Sequence, residues 1–131
     1  MLDDYRRAAK KVLSKLATYF HEATLRKESV GVYVPGRAVN ALSVIREQID
    51  LTNVRFFDDN NVLHGTYFPG FDTPIESREE LISAPTERIL IMSRVFGARI
   101  AKELESVLHG RSSLTTWEDI FQDELDVRKP T

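Results

Sequence analysis

The chain has 131 residues, 42% of them hydrophobic, with 18 Lys and Arg against 20 Asp and Glu for a net charge of −2, and it contains no cysteine. These figures suit one compact domain, or one domain with an appended element, that buries roughly two thirds of its unfolded surface. They exclude a disulfide framework, thiolate metal sites and thiol catalysis, and they fit a reducing cytoplasm. A broad electrostatic hold on nucleic acid or on an anionic membrane needs a basic excess, so neither is an expected partner. No apolar run approaches the about 20 residues that span a bilayer. The charged opening Asp3-Asp4-Tyr5-Arg6-Arg7 does not read as a signal peptide.

From Leu2 to Lys27 the chain has no Gly or Pro and carries a helical period. Tyr5, Ala9, Val12, Leu13, Leu16 and Phe20 form one apolar stripe, while Arg6, Arg7, Lys10, Lys11 and Lys15 occupy the opposite face. That basic face reads either as solvated surface or as a contact for an acidic partner. The period then changes. Ser29–Val34 is a β-branched and aromatic run that ends on Pro35-Gly36, which together predict a buried strand and a turn. A helix over Arg37–Gln48 follows, then a second strand at Asn53–Phe57 that closes on Asp58-Asp59. Strand, turn, helix and strand in this order form a βαβ unit, expected to cross over right-handed.

Asn60 to Glu76 is rich in turn formers and predicts an ordered loop, with a short extended piece near Thr66–Phe68. Ser77 and Glu80 have the spacing of a capping box, which opens a short helix to Ser83. Arg88–Met92 predicts a third strand, Phe96–Leu108 a helix ending near Gly110, and Ser112–Thr115 a fourth strand. Thr116 caps a last helix containing Trp117, Ile120 and Phe121. The expected organisation is a leading helix over 1–28, an α/β domain over 29–123 and a polar tail over 124–131. Strands alternating with helices predict a three-layer Rossmann-like α/β sandwich of about four parallel strands in the order 2-1-3-4. That order puts the switch point between the first and third strands, so a ligand is expected near Gly36-Arg37 and Ser93-Arg94.

The turn after the first strand reads Val34-Pro35-Gly36-Arg37 and lacks the G-x-G-x-x-G of a dinucleotide site. Gly36 still exposes backbone N–H groups and Arg37 a guanidinium, so the turn reads as a phosphate contact or as the tight bend that any βα connection needs. Asp58, with Asp59 beside it, lies 22 residues after Gly36, about where a ribose-binding acid sits. The other reading of Asp58-Asp59-Asn60-Asn61 is a turn built from side chain to backbone bonds. His64 is the one histidine with a ligand-facing address, and none of His21, His64 and His109 has metal-site spacing. No nucleophile elbow or P-loop occurs. Trp117, Phe121 and Phe56, Phe57, Phe68, Phe71 and Phe96 read as core or loop anchors, because base-stacking platforms come with interleaved basic residues.

Phe56-Phe57-Asp58-Asp59-Asn60, His64-Gly65, Tyr67-Phe68-Pro69-Gly70 and Thr73-Pro74-Ile75 together resemble the C-terminal domain of nucleotide-sugar C-methyltransferases. The strand at Ile89–Met92 and its run into Ser93-Arg94-Val95-Phe96 are similar to that family's late strand and helix, without its usual Trp-Asn dipeptide. A more distant likeness is to the N-terminal nucleotide-binding domain of polysaccharide-biosynthesis epimerase-dehydratases. The resemblance implies a Rossmann-like module that contacts a nucleotide or nucleotide-sugar and serves a methyltransferase-like enzyme, whose methyl donor binds a different, preceding domain. It names no cofactor for this chain. The alternative expectation is a protein-interaction or oligomerisation domain, in which the N-terminal helix packs on a second copy.

Overall fold

The structure, a computed structural model, describes residues 2–33 and 35–126. Of Leu2, Asp3, Tyr5, Arg37 and residues 122–126 the backbone alone is described. Val34, the expected end of the first strand, and the tail from 127 onward lie outside the described residues, as does the Tyr5 side chain of the expected stripe.

The elements alternate as the sequence predicts. Helix α1 (Leu2–Leu25) leads into β1 (Val30–Tyr33), and α2 (Val39–Ile45) is flanked by 3-10 turns at Gly36–Ala38 and Arg46–Gln48. Then come β2 (Val54–Phe57), β3 (Ile75–Glu76), α3 (Arg78–Ser83), β4 (Arg88–Ile91), α4 (Gly97–Leu108), β5 (Ser113–Thr116) and α5 (Trp117–Asp126). Local chemistry sets several of these ends. Ser77 and Glu80 form a capping box at the start of α3. Thr116 Oγ1 accepts from the Asp119 N–H at 3.2 Å while Asp119 accepts from the Thr116 N–H at 2.9 Å, which starts α5. Helix α4 stops at His109, which takes a left-handed conformation at φ +50° just before Gly110.

The five strands pair in parallel in the order β3-β2-β1-β4-β5. Four of them have the expected order, and β3 is one strand more than expected. It lies at Ile75–Glu76 and not at Thr66–Phe68. Two residues after Pro74 are too short to show a period of two, so they carry no sequence signal. The stretch expected to be extended instead lines this edge. The Gly65 N–H donates to the Ile75 carbonyl at 2.9 Å, and the Thr66 carbonyl accepts from the Ile75 N–H at 2.8 Å. The loop thereby covers the outer backbone of an edge strand that would otherwise invite pairing with another chain.

Strand side chains alternate between two apolar layers. Val30, Val32, Val54, Phe56, Ile75, Leu90 and Met92 share one layer with Leu16, Phe20 and Ala23 of α1, Val39, Leu42 and Ile45 of α2, and Phe121 of α5. Tyr33, Phe57, Ile89 and Ile91 share the other with Leu81 of α3 and Ile100, Leu104 and Leu108 of α4. The three-layer Rossmann-like sandwich therefore has α1, α2 and α5 on one face and α3 and α4 on the other. Gly31 in the central strand has a packing reason: a Cβ there would stand 2.7 Å from Thr86 Oγ1 and 2.9 Å from the Phe57 ring.

Candidate functional site

Strands β1 and β4 are neighbours, yet the chain leaves them in opposite directions, through α2 toward β2 and through α4 toward β5. The candidate crevice lies outside the carboxyl ends of the two strands, where sheets with such a reversal bind their ligands. One wall is the turn from Pro35 to Ala38, closed by the Ala38 N–H donating to the Pro35 carbonyl at 2.8 Å. Gly36 adopts φ +50° there, is exposed, and has no atom within 4 Å of where a Cβ would stand. Arg37 lies in this turn, and its side chain is outside those described. The other wall runs from Met92, whose N–H donates to the Tyr33 carbonyl at 3.0 Å, to Phe96. Ser93 Oγ accepts from the Phe96 N–H at 3.1 Å, and the exposed Arg94 holds its guanidinium 5.9 Å from the Trp117 ring. Gly36 and Arg37 thus follow β1, and Ser93 and Arg94 follow its neighbour β4.

The three candidates that follow β2 are used differently. Asp58 Oδ1 accepts from the Asn60 N–H at 2.9 Å, and Asn60 Oδ1 accepts from the Val62 N–H at 3.1 Å. His64 Nε2 donates to the Asp58 carbonyl at 2.8 Å, which anchors the ring to the loop. These are the side chain to backbone bonds of a turn, the second of the two readings of this stretch.

Asp59 instead enters a cluster that spacing along the chain does not reveal. Tyr33 sits in the sheet with its ring buried and stacked on Phe57, and its hydroxyl donates to Asp59 Oδ1. Arg78, the first residue of α3, donates through Nε to the Tyr33 hydroxyl at 2.6 Å and through Nη2 to Asp59 Oδ2 at 2.9 Å. Its Nη1 reaches Glu103 of α4 at 3.4 Å, and Arg99 approaches the other Glu103 oxygen at 3.9 Å. Burial, reinforced by the bond to Asp59, pushes the Tyr33 hydroxyl well above its ordinary pKa, against the pull of Arg78. Burial opposes the charge on Arg78, but the bonds to Tyr33 and Asp59 outweigh it and raise its pKa. The cluster is a neutral phenol and a fixed cation that share one carboxylate at the carboxyl end of the sheet. Only the position of Arg78 just after β3 hints at it in the sequence, and that hint needs β3 to be known.

A second polar set closes the amino ends of the strands. Arg88 Nε and Nη2 bond Glu28 Oε1 at 3.1 and 3.0 Å, Glu22 lies 4.0 Å away, and the guanidinium stands 5.4 Å from the Tyr19 ring. Beside it a cavity of about 250 Å³ is lined by Thr24, Lys27, Glu28, Asp50 and Asn53. Among the described residues no three His, Asp or Glu side chains converge as a metal site, and no helix is long and apolar enough to cross a membrane. No protein-family model and no curated protein matches the chain.

Proposed function

We propose that this chain is a Rossmann-like module that binds a nucleotide or nucleotide-sugar as an accessory to a sugar-modifying, methyltransferase-like enzyme. The observation that carries the reading is the reversal of chain direction between β1 and β4, which puts Gly36-Arg37 and Ser93-Arg94 at the carboxyl ends where such sheets bind ligands. Gly36 adds a wall without a side chain, where a phosphate can approach the backbone. Asp59, half-exposed and paired with Arg78, offers an acceptor for a sugar hydroxyl at the next strand end. The resemblance to the C-terminal domain of nucleotide-sugar C-methyltransferases agrees with this ligand class, and the absence of cysteine agrees with a cytoplasmic setting. Calorimetric titration with dTDP, UDP, NAD and S-adenosylmethionine tests the proposal. Binding of a nucleoside diphosphate is the expected result, and silence for every ligand at millimolar concentration ends it.

A second reading, an interaction domain that associates through α1, has one observation in its favour. None of the described side chains from Asp4 to Lys11 is buried, so the first turns of α1 carry Arg6, Arg7, Lys10 and Lys11 beyond the core. Light scattering separates the two readings, since a strict monomer counts against self-association.

A further inference from the structure

The chain has seven phenylalanines, and the six beyond α1 read from the sequence as core or loop anchors. Phe56, Phe57, Phe71 and Phe121 are such anchors, at most 5% exposed. Phe96 is not: it is 51% exposed, and Val95 beside it is 82% exposed. Phe96 is the last residue of the β4–α4 connection, which forms one wall of the switch-point crevice. Its ring is held from one side, where the Arg99 guanidinium lies 4.7 Å from the centroid. Two residues before Phe96, Arg94 makes a like contact with Trp117. An aromatic ring interleaved with arginines is the composition of a base-stacking shelf, and residues 93–102 carry Arg94, Arg99 and Lys102 with no acid among them.

Resting on the binding function proposed above, we infer that Phe96 is the shelf on which the nucleobase of the ligand stacks, with Arg94 and Arg99 flanking it. A ring offers its π-face to any base, so the site discriminates strongly between ligands with and without a base and weakly between uracil and thymine. The turn that follows β1 leaves room for a bound group, because a Cβ at Gly36 would meet no atom within 4 Å.

The test uses the whole chain, with calorimetry and the fluorescence of Trp117, its single tryptophan, as readouts. UDP is titrated against ribose 5-phosphate and inorganic pyrophosphate, which lack a base, into the unmodified chain, Phe96→Ala and Phe96→Tyr. UDP is expected to bind the unmodified chain at least about tenfold more tightly than either base-free probe. Phe96→Ala should lose about tenfold in UDP affinity and leave pyrophosphate binding unchanged, while Phe96→Tyr retains the preference. The half-exposed position keeps both substitutions out of the core, and equal melting temperatures for the three proteins check that each is folded. If UDP binds but Phe96→Ala leaves its affinity unchanged, or pyrophosphate binds as well as UDP, the stacking role is overturned while the binding function stands. If none of the three probes binds, the stacking role falls, and the binding function falls with it when dTDP, NAD and S-adenosylmethionine are silent too.

Discussion

The two ends of the sheet carry the same three kinds of side chain in two different states. At the amino end Arg88 covers Tyr19 and pairs with Glu28 and Glu22, and at the carboxyl end Arg78 covers Tyr33 and pairs with Asp59 and Glu103. The Arg88 side chain is 10% exposed and that of Arg78 26%, while the Asp59 carboxylate is 48% exposed. Tyr19 differs from Tyr33 in the same sense. Its hydroxyl is buried and makes no hydrogen bond of good geometry, although Thr115 faces it, whereas the Tyr33 hydroxyl both donates and accepts. The amino-end set is a closed clamp of α1 onto β4, and its tyrosine serves as a ring. The carboxyl-end set is a bonded network with one side in water. Similar residues acquire different roles from the depth at which the fold sets them.

Alkaline pH should produce the largest effect, and it acts at both ends. Burial raises Tyr19 from 10.0 to about 12, with the Arg88 charge opposing, and Tyr33 is raised further still. A raised pKa in the folded state means that unfolded chains lose the phenolic proton first. The stabilisation is therefore complete below about pH 10 and lost as pH rises through the folded values, by up to about 1.4 kcal/mol per pH unit for each tyrosine. Absorbance at 295 nm should show both phenols ionising together with unfolding, and independent early ionisation would contradict the burial argument.

Arginine replacement comes next and should divide the two ends. Arg88→Ala leaves Glu28 without its partner in a nearly closed site and strips the cover from Tyr19, at a cost of about 2–4 kcal/mol in urea denaturation. Arg78→Ala is better solvated and should cost about 1–2 kcal/mol. Equal losses would erase the distinction between clamp and network.

The hydroxyls give the smallest and sharpest contrast. Tyr33→Phe removes a group that bonds both Asp59 and Arg78 and should cost about 1–2 kcal/mol by the same measurement. Tyr19→Phe removes a buried hydroxyl that lacks a well-formed bond, so stability should be unchanged or raised by up to about 1 kcal/mol. A loss at position 19 as large as that at 33 would mean that the Tyr19 hydroxyl is bonded after all.

Much of the architecture can be read in the sequence because its signals are short-range. The β-branched run from Val30, the acids that close β2, the Ser77–Glu80 box and the Thr116 cap each act within a few residues. Four strands in sequence with helices between them leave few orders for a parallel sheet, so the switch point beside Gly36 and Ser93 is legible too. Strand β3 is not, since two residues after a proline show no alternation. The candidate residues are legible in their loops and illegible in their partners. Asp58 and Asp59 are adjacent acids, yet one turns to its own loop and the other joins Tyr33 and Arg78, which lie 45 residues apart. Phe56 and Phe96 are likewise the same letter, one sealed in the core and the other half in solvent.

The sequence by itself determined the α/β alternation, the parallel sheet, the helix starts and the end of the sheet where ligands are expected, because periodicity, capping and turn chemistry are properties of neighbouring residues. Tertiary structure alone decided the fifth strand, the Tyr33–Asp59–Arg78 network and the exposure of Phe96. Those depend on which strand ends stand side by side and how deep each side chain lies, and packing fixes both only once the whole sheet is assembled.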